Sequence, residues 1–267
     1  MQFETLKLEK SDGVATLTLN RPDRLNAINW KMNQELPEAW DDIRRDPDIG
    51  VAIITGAGDR AFCTGFDMAS SGGAEEVPKE RDKGDHVELL FTAIQNRCWK
   101  PVITAVNGMV TGGGLHFIAD TDLIIAAEHA TFFDSHVRVG HVSATEPIGL
   151  ARRIPIEAVF RMTFMGGAER FTAQRAYEIG LVGEVVPIER LMERARETAG
   201  KIMENSPATL IASKKSIWQG LNYGLDEAIE HGWAILKAHR SHPDQREGAR
   251  AFVERRKPNW APAPFVE

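Results

Sequence analysis

The chain has 267 residues, a net charge of -6 and two cysteines, with 43% hydrophobic and 26% charged residues. That balance suits one large α/β core with a small helical appendage and excludes a disordered tail, and the negative charge argues against nucleic-acid or membrane-surface partners. Cys63 and Cys98 are too few for a disulfide framework, the first ten residues lack the apolar stretch of a signal peptide, and no run approaches the roughly 18 apolar residues of a membrane span, so a cytoplasmic setting is expected.

Alternation with a period of two over residues 3–9 and 14–19, joined at Lys10-Ser11-Asp12-Gly13, predicts a β-hairpin. After the turn Asn20-Arg21-Pro22-Asp23, a helical pattern over about 29–45 leads into the β-branched run 51–55, and a second such run occupies 102–106. Both predict buried strands of a parallel sheet, and ligands bind beyond the carboxyl ends of such strands. Gly56-Ala57-Gly58-Asp59-Arg60-Ala61 matches the G-x-G-x-x-A dinucleotide fingerprint. A true fingerprint opens a helix and has an acid about 20 positions on; a glycine turn follows instead, so a plain tight turn is the better reading. Residues 70–85 are polar and glycine-rich without periodicity, which predicts a long loop placed as a lid. From Thr172 onward helix dominates, with Ala176, Ile179 and Leu181, then Leu191, Ala195, Ala199 and Ile202 at helical spacing. Pro187 and Pro207 suit first turns, and Pro258 is expected to end the last helix.

Two glycine-bearing turns carry the chemistry: Phe62-Cys63-Thr64-Gly65-Phe66-Asp67 and Asn107-Gly108-Met109-Val110-Thr111-Gly112-Gly113-Gly114. Each follows a predicted strand, so each can aim backbone N–H groups into a shared pocket, as an oxyanion hole requires. Helix-on-sheet packing would also account for Gly112 to Gly114, though less well for both turns together. The triple glycine lacks the Gly-Lys-Ser/Thr ending of a phosphate-binding loop.

With Leu19-Asn20-Arg21-Pro22-Asp23-Arg24-Leu25-Asn26-Ala27, Val106-Asn107-Gly108 and Arg246-Glu247-Gly248-Ala249-Arg250-Ala251-Phe252, these turns make nearly the whole chain resemble the crotonase superfamily, the enoyl-CoA hydratases and isomerases. The resemblance implies an α/β crotonase (ClpP-like) spiral of ββα units: a core over 1–200 with an acyl-CoA pocket, and a C-terminal helical trimerisation region over 201–267. It implies oxyanion donors at the backbone N–H of Phe66 and Gly113, and coenzyme A contacts near Arg24, Leu25, Ala27, Thr64, Asp67 and Met68. Coenzyme A would enter as part of the substrate, with no permanently bound cofactor. Phe252 and Arg255 match positions that reach a neighbouring subunit's ligand, so a trimer or dimer of trimers is implied. The bare sequence offers another reading for Arg24, a solvated turn, and for Arg250, Arg255, Arg256 and Lys257, a solvated face of the last helix.

The two positions at which hydratases of this family carry catalytic glutamates align with His116 and His136. Imidazole titrates near pH 6.5 and glutamate near 4.3, so a neutral and a protonated histidine can divide the same proton-transfer tasks. Glu146 lies where other branches carry a lone acid, and it also suits the first turn of a helix. Structural alternatives stand beside each histidine: a core residue for His116, a surface loop residue for His136. His141 extends these into a metal-site reading that no ligand spacing supports, so no metal is expected. Hydration or isomerisation of an acyl-CoA is the leading expectation, with His136 as base; carbon–carbon bond hydrolysis and non-catalytic acyl-CoA binding are the alternatives. Phe66, Trp99, His86 and the 70–85 loop are candidate walls for the acyl group.

Overall fold

The structure, a computed structural model, describes residues 2–68 and 89–265. Strands β1 (Leu6–Ser11) and β2 (Val14–Leu19) form the expected hairpin, with Leu6 opposite Leu19 and Leu8 opposite Leu17. Asp12 and Gly13 are both left-handed, at φ 52° and 76°, the requirement of a tight turn that follows the strand twist. The first strand begins at Leu6, later than its alternation predicts. The N–H groups of Glu4 and Thr5 bind the carboxylate of Glu35, at 2.8 and 2.9 Å, instead of joining a ladder. Glu35 lies on α1 (Trp30–Arg45), whose Asn29 cap accepts from the Met32 N–H and whose inner stripe is Met32, Leu36, Ala39, Trp40 and Ile43.

The chain then alternates between two sheets. Strands β3 (Val51–Gly56), β5 (Val102–Val106) and β7 (Leu123–Ala127) enter a six-stranded sheet; β4 (Ala61–Cys63), β6 (Met109–Thr111) and β8 (Thr131–Phe133) enter a four-stranded one. Helices α2 (His116–Ala119), α3 (Thr145–Leu150), α4 (Ile156–Phe164) and α5 (Ala173–Glu178) follow, with β9 (Phe171–Thr172) on the small sheet and β10 (Glu184–Val186) on the large one. The alternation is the spiral of strand and helix units that the resemblance implies. Strands β3 and β5 are buried on both faces, so each contributes alternate residues to two cores. Ala52, Ile54, Val102 and Val106 join the core that includes α1 and the small sheet, whereas Val51, Ile53, Ile103 and Ala105 pack with Leu191, Ala195 and Ala199 of α6 (Ile188–Met203).

Three further helices, α7 (Pro207–Gly220), α8 (Leu225–His239) and α9 (Pro243–Glu254), complete the chain. Pro207 sits in the first turn of α7 as expected, whereas Pro187 precedes α6 as its cap. The last helix stops before Pro258. Arg255 turns left-handed at φ 53°, and the N–H groups of Arg255 and Arg256 return to the carbonyls of Phe252 and Ala251. Arg256 is therefore no part of a helical face: its guanidinium chelates Glu247 at 2.6 and 3.0 Å, which holds that carboxyl down at about 2. No helix among the described residues is long and apolar enough to cross a membrane.

Candidate functional site

Parallel pairing of β4 with β6 brings the two glycine turns out of the same edge of the small sheet. In the first, the Gly65 carbonyl accepts from the Ile28 N–H and the Asp67 N–H donates to the Ile28 carbonyl, at 2.7 and 2.9 Å. That parallel bridge turns the intervening Phe66 N–H away from Ile28. In the second, Gly112 to Leu115 form one 3-10 turn, and Gly113, at its second position, has an N–H with no acceptor inside the turn. Among the described residues neither amide is engaged by loop backbone. The two turns approach closely at glycine: a methyl placed on Gly65, at φ 81°, would lie 2.7 Å from the Gly113 nitrogen, and one on Gly113 would lie 3.8 Å from the Phe66 nitrogen.

These turns wall a cavity of about 540 Å³ that also includes Met68, Phe91, His116, Ser135, His136 and Glu146. His116 opens α2 one residue after the 3-10 turn, so the triple glycine that sets the amide also sets this imidazole. Glu146 lies in the first turn of α3 and is 5% exposed. Its Oε1 is 3.3 Å from His116 Nε2 and 3.8 Å from His136 Nε2, so a single carboxylate oxygen is shared by both imidazoles. The Thr145 hydroxyl donates to Glu146 Oε2 at 3.0 Å, and Phe91 meets the His116 ring edge-on.

His136 has a second carboxylate. Asp134, 1% exposed, accepts from the His136 backbone N–H at 2.9 Å and from its Nδ1 at 2.7 Å, both at Oδ1, while the Ser143 hydroxyl donates to Oδ2. The hydrogen bond to Asp134, aided by the Glu146 charge, outweighs burial and raises the His136 pKa above its usual 6.5. Burial pushes Asp134 the other way, but the three donors win and hold it below 3.8. Asp120, at the end of α2, is raised by burial, opposed by the hydrogen bond that the Thr92 hydroxyl donates to it. Two imidazoles about a carboxylate can take, hold and return protons near neutral pH. Asp134, Ser143 and Thr145 escape motif reading, although an aspartate two residues before a histidine is the pattern of an Asx turn.

Of the residues implied to meet coenzyme A, Thr64 and Met68 line the cavity. Ala27 is buried, and Asp67 pairs with Arg21 at 2.8 Å, the same guanidinium that donates to the Ala27 carbonyl. Arg24 is exposed, and the Leu25 carbonyl accepts from the Thr64 hydroxyl at 3.3 Å. Phe252, 86% exposed, and Arg255 lie at the C-terminal end. Trp99 does not wall the cavity; it packs with Ile211 and Ala263 because α7 covers it. His86 and the 70–85 lid fall outside the described residues. His141 is on the cavity rim, and among the described residues no group of three His, Cys, Asp or Glu could hold a metal. The G-x-G-x-x-A turn leads into β4 rather than a helix, and its carbonyls at Ala57, Gly58 and Ala61 are taken by the side-chain amides of Asn26 and Asn107.

The enoyl-CoA hydratase/isomerase family description matches residues 9–263. The (E)-benzylidenesuccinyl-CoA hydratase of Thauera aromatica is 37% identical over 94% of this chain and 96% of its own length. The crotonyl-CoA hydratase of Syntrophomonas wolfei is 32% identical over 97% and 99%. Among solved structures, an enoyl-CoA hydratase/isomerase from Mycobacterium paratuberculosis superposes with a TM-score of 0.90 at 40% identity, covering 97% of this chain and 99% of that one.

Proposed function

Because the chain belongs to the enoyl-CoA hydratase/isomerase family, we propose that it is an acyl-CoA-processing enzyme that adds or removes water across the α,β bond of a thioester. The observation that carries this reading is the carboxylate of Glu146 shared between His116 and His136 in the cavity that the two free amides border. Phe66 and Gly113 N–H groups hold the thioester oxygen. His136 Nε2 takes a proton from water as the water oxygen bonds to the β-carbon; the alkene pair moves through the α-carbon onto the held oxygen, giving an enolate. His116 protonates the α-carbon, restoring the carbonyl, and the Glu146 carboxylate between the imidazoles steadies the charge and relays the proton back. Fixed donors are effective because they need no reorganisation as charge develops. The residues named suffice without a resident cofactor, coenzyme A being part of the substrate.

The arrangement around Asp134 favours one second reading. A histidine with a buried carboxylate behind it also suits activation of water against a ketone, which would cleave a carbon–carbon bond in a β-keto or cyclic acyl-CoA. Mass spectrometry and NMR of products from linear, branched and cyclic enoyl and β-keto thioesters separate the two. Hydration keeps the carbon skeleton; cleavage opens a ring or divides the chain. Turnover unchanged in His136→Ala would reject the assigned base in both.

Residues 201–267 are the assembly region in this reading, giving a trimer or dimer of trimers. It is supported by α8, which buries no residue within its own chain and leaves Ile229, Trp233 and Leu236 about half exposed. Light scattering that gives a monomer at assay concentration would overturn it. The cysteine content supports a cytoplasmic setting.

A further inference from the structure

The geometry points to Asp134 as a positioning residue that fixes the His136 ring with Nδ1 protonated and Nε2 turned to Glu146, and that ties this ring to the segment leading into α3. The inference rests on the reading of His136 as base. A buried carboxylate persists only when its lone pairs are engaged, and Asp134 receives three donors: the His136 N–H, His136 Nδ1 and the Ser143 hydroxyl. An ionised carboxylate is an acceptor only, so in the neutral ring the shared proton sits on Nδ1 and the free lone pair on Nε2, the nitrogen 3.8 Å from Glu146. The backbone bond back to the residue two positions earlier fixes the turn as well as the ring. Ser143 stands three residues before Glu146, so the same carboxylate joins the turn that carries the base to the segment that carries its partner. Among the described residues, the charged and titratable groups facing His136 are Asp134 in its own turn, Glu146 from α3 and, beyond that carboxylate, His116 of α2; His141 contributes its backbone N–H to the His136 carbonyl.

The test uses full-length Asp134→Ala and Asp134→Asn. Imidazole nitrogen NMR is read in the free enzyme, with the His136 signals assigned against His136→Gln, and kinetics are measured with crotonyl-CoA as probe. The wild type is expected to show an Nδ1-protonated neutral ring. Asp134→Ala should populate the other tautomer and lower kcat about 10- to 100-fold, with KM within about 2-fold. Asp134→Asn keeps an acceptor for Nδ1–H but no charge, so it should keep the tautomer while its His136 titration moves to lower pH. An unchanged tautomer in a folded Asp134→Ala, or an unchanged His136 titration in Asp134→Asn, would overturn the inference; the asparagine variant decides alone if the alanine variant does not fold. His136→Ala separates the premise. Intact turnover there removes the base assignment, whereas abolished turnover beside an unaltered ring in the Asp134 variants removes only the role given to Asp134.

Discussion

The glycine wall and the histidine wall of the cavity are built from different materials. The first is backbone with no slack: a methyl on Gly65 would meet the Gly113 nitrogen at 2.7 Å, and one on Gly114 would meet the Cys63 carbonyl oxygen at 2.4 Å. The second is side chains from α2, the 134–136 turn and α3, held by contacts of 2.7 to 3.8 Å that a rotamer change could redraw. The difference separates two jobs. In the proposed function the backbone donors serve any substrate that presents an oxygen there, whereas the choice of histidine or carboxylate decides where protons go.

The contrast breaks most sharply at Gly65→Ala. A side chain at φ 81° costs about 1–2 kcal/mol, but the methyl fills the gap between the amides, so kcat/KM should fall about 100-fold or more by steady-state assay, the loss expected for one oxyanion donor. On the other wall, Glu146→Gln keeps the shape and removes the shared charge; a fall in kcat of about 100-fold with KM little altered is expected. A loss confined to KM would make Glu146 a binding group.

The pH dependence comes next. His136 must be neutral to accept a proton, and Asp134 raises its pKa, so the acid limb of kcat/KM should lie above pH 6.5. In stability the signs run differently. The raised imidazole contributes fully below its unfolded value of 6.5 and loses that contribution as pH rises through its folded value; the lowered Asp134 contributes above 3.8 and loses it as pH falls through its own. The Tm gap between wild type and His136→Gln should therefore be widest between those values and narrow above. The smallest effect belongs outside both walls: Glu35→Gln should cost about 1–3 kcal/mol in denaturant unfolding, because the donors at Glu4 and Thr5 lose a charged acceptor, and leave kcat unchanged.

Much of this architecture was legible from periodicity. The alternation of β2 and the unbroken apolar runs of β3 and β5 follow from burying one face or two, and the α1 stripe is written at helical spacing. Short elements held by tertiary partners were not. Strand β10 has three residues and exists because β7 offers it a parallel edge, within a stretch whose local pattern is helical. Arg255 ends α9 in a conformation that arginine does not favour, fixed by returning backbone bonds rather than by a breaker residue. In the site, His116 is singled out by its distance from the triple glycine and His136 by alignment of residues 132–140 with the family's pattern, but Asp134 and Ser143 act through a turn and a cross-loop contact that no residue spacing encodes.

A crystal structure with a saturated acyl-CoA soaked into the enzyme tests the central claim most directly. The thioester oxygen is expected within about 2.7–3.1 Å of both the Phe66 and Gly113 nitrogens. A thioester oxygen bound elsewhere in the cavity, with either amide paired to protein or solvent instead, would contradict it.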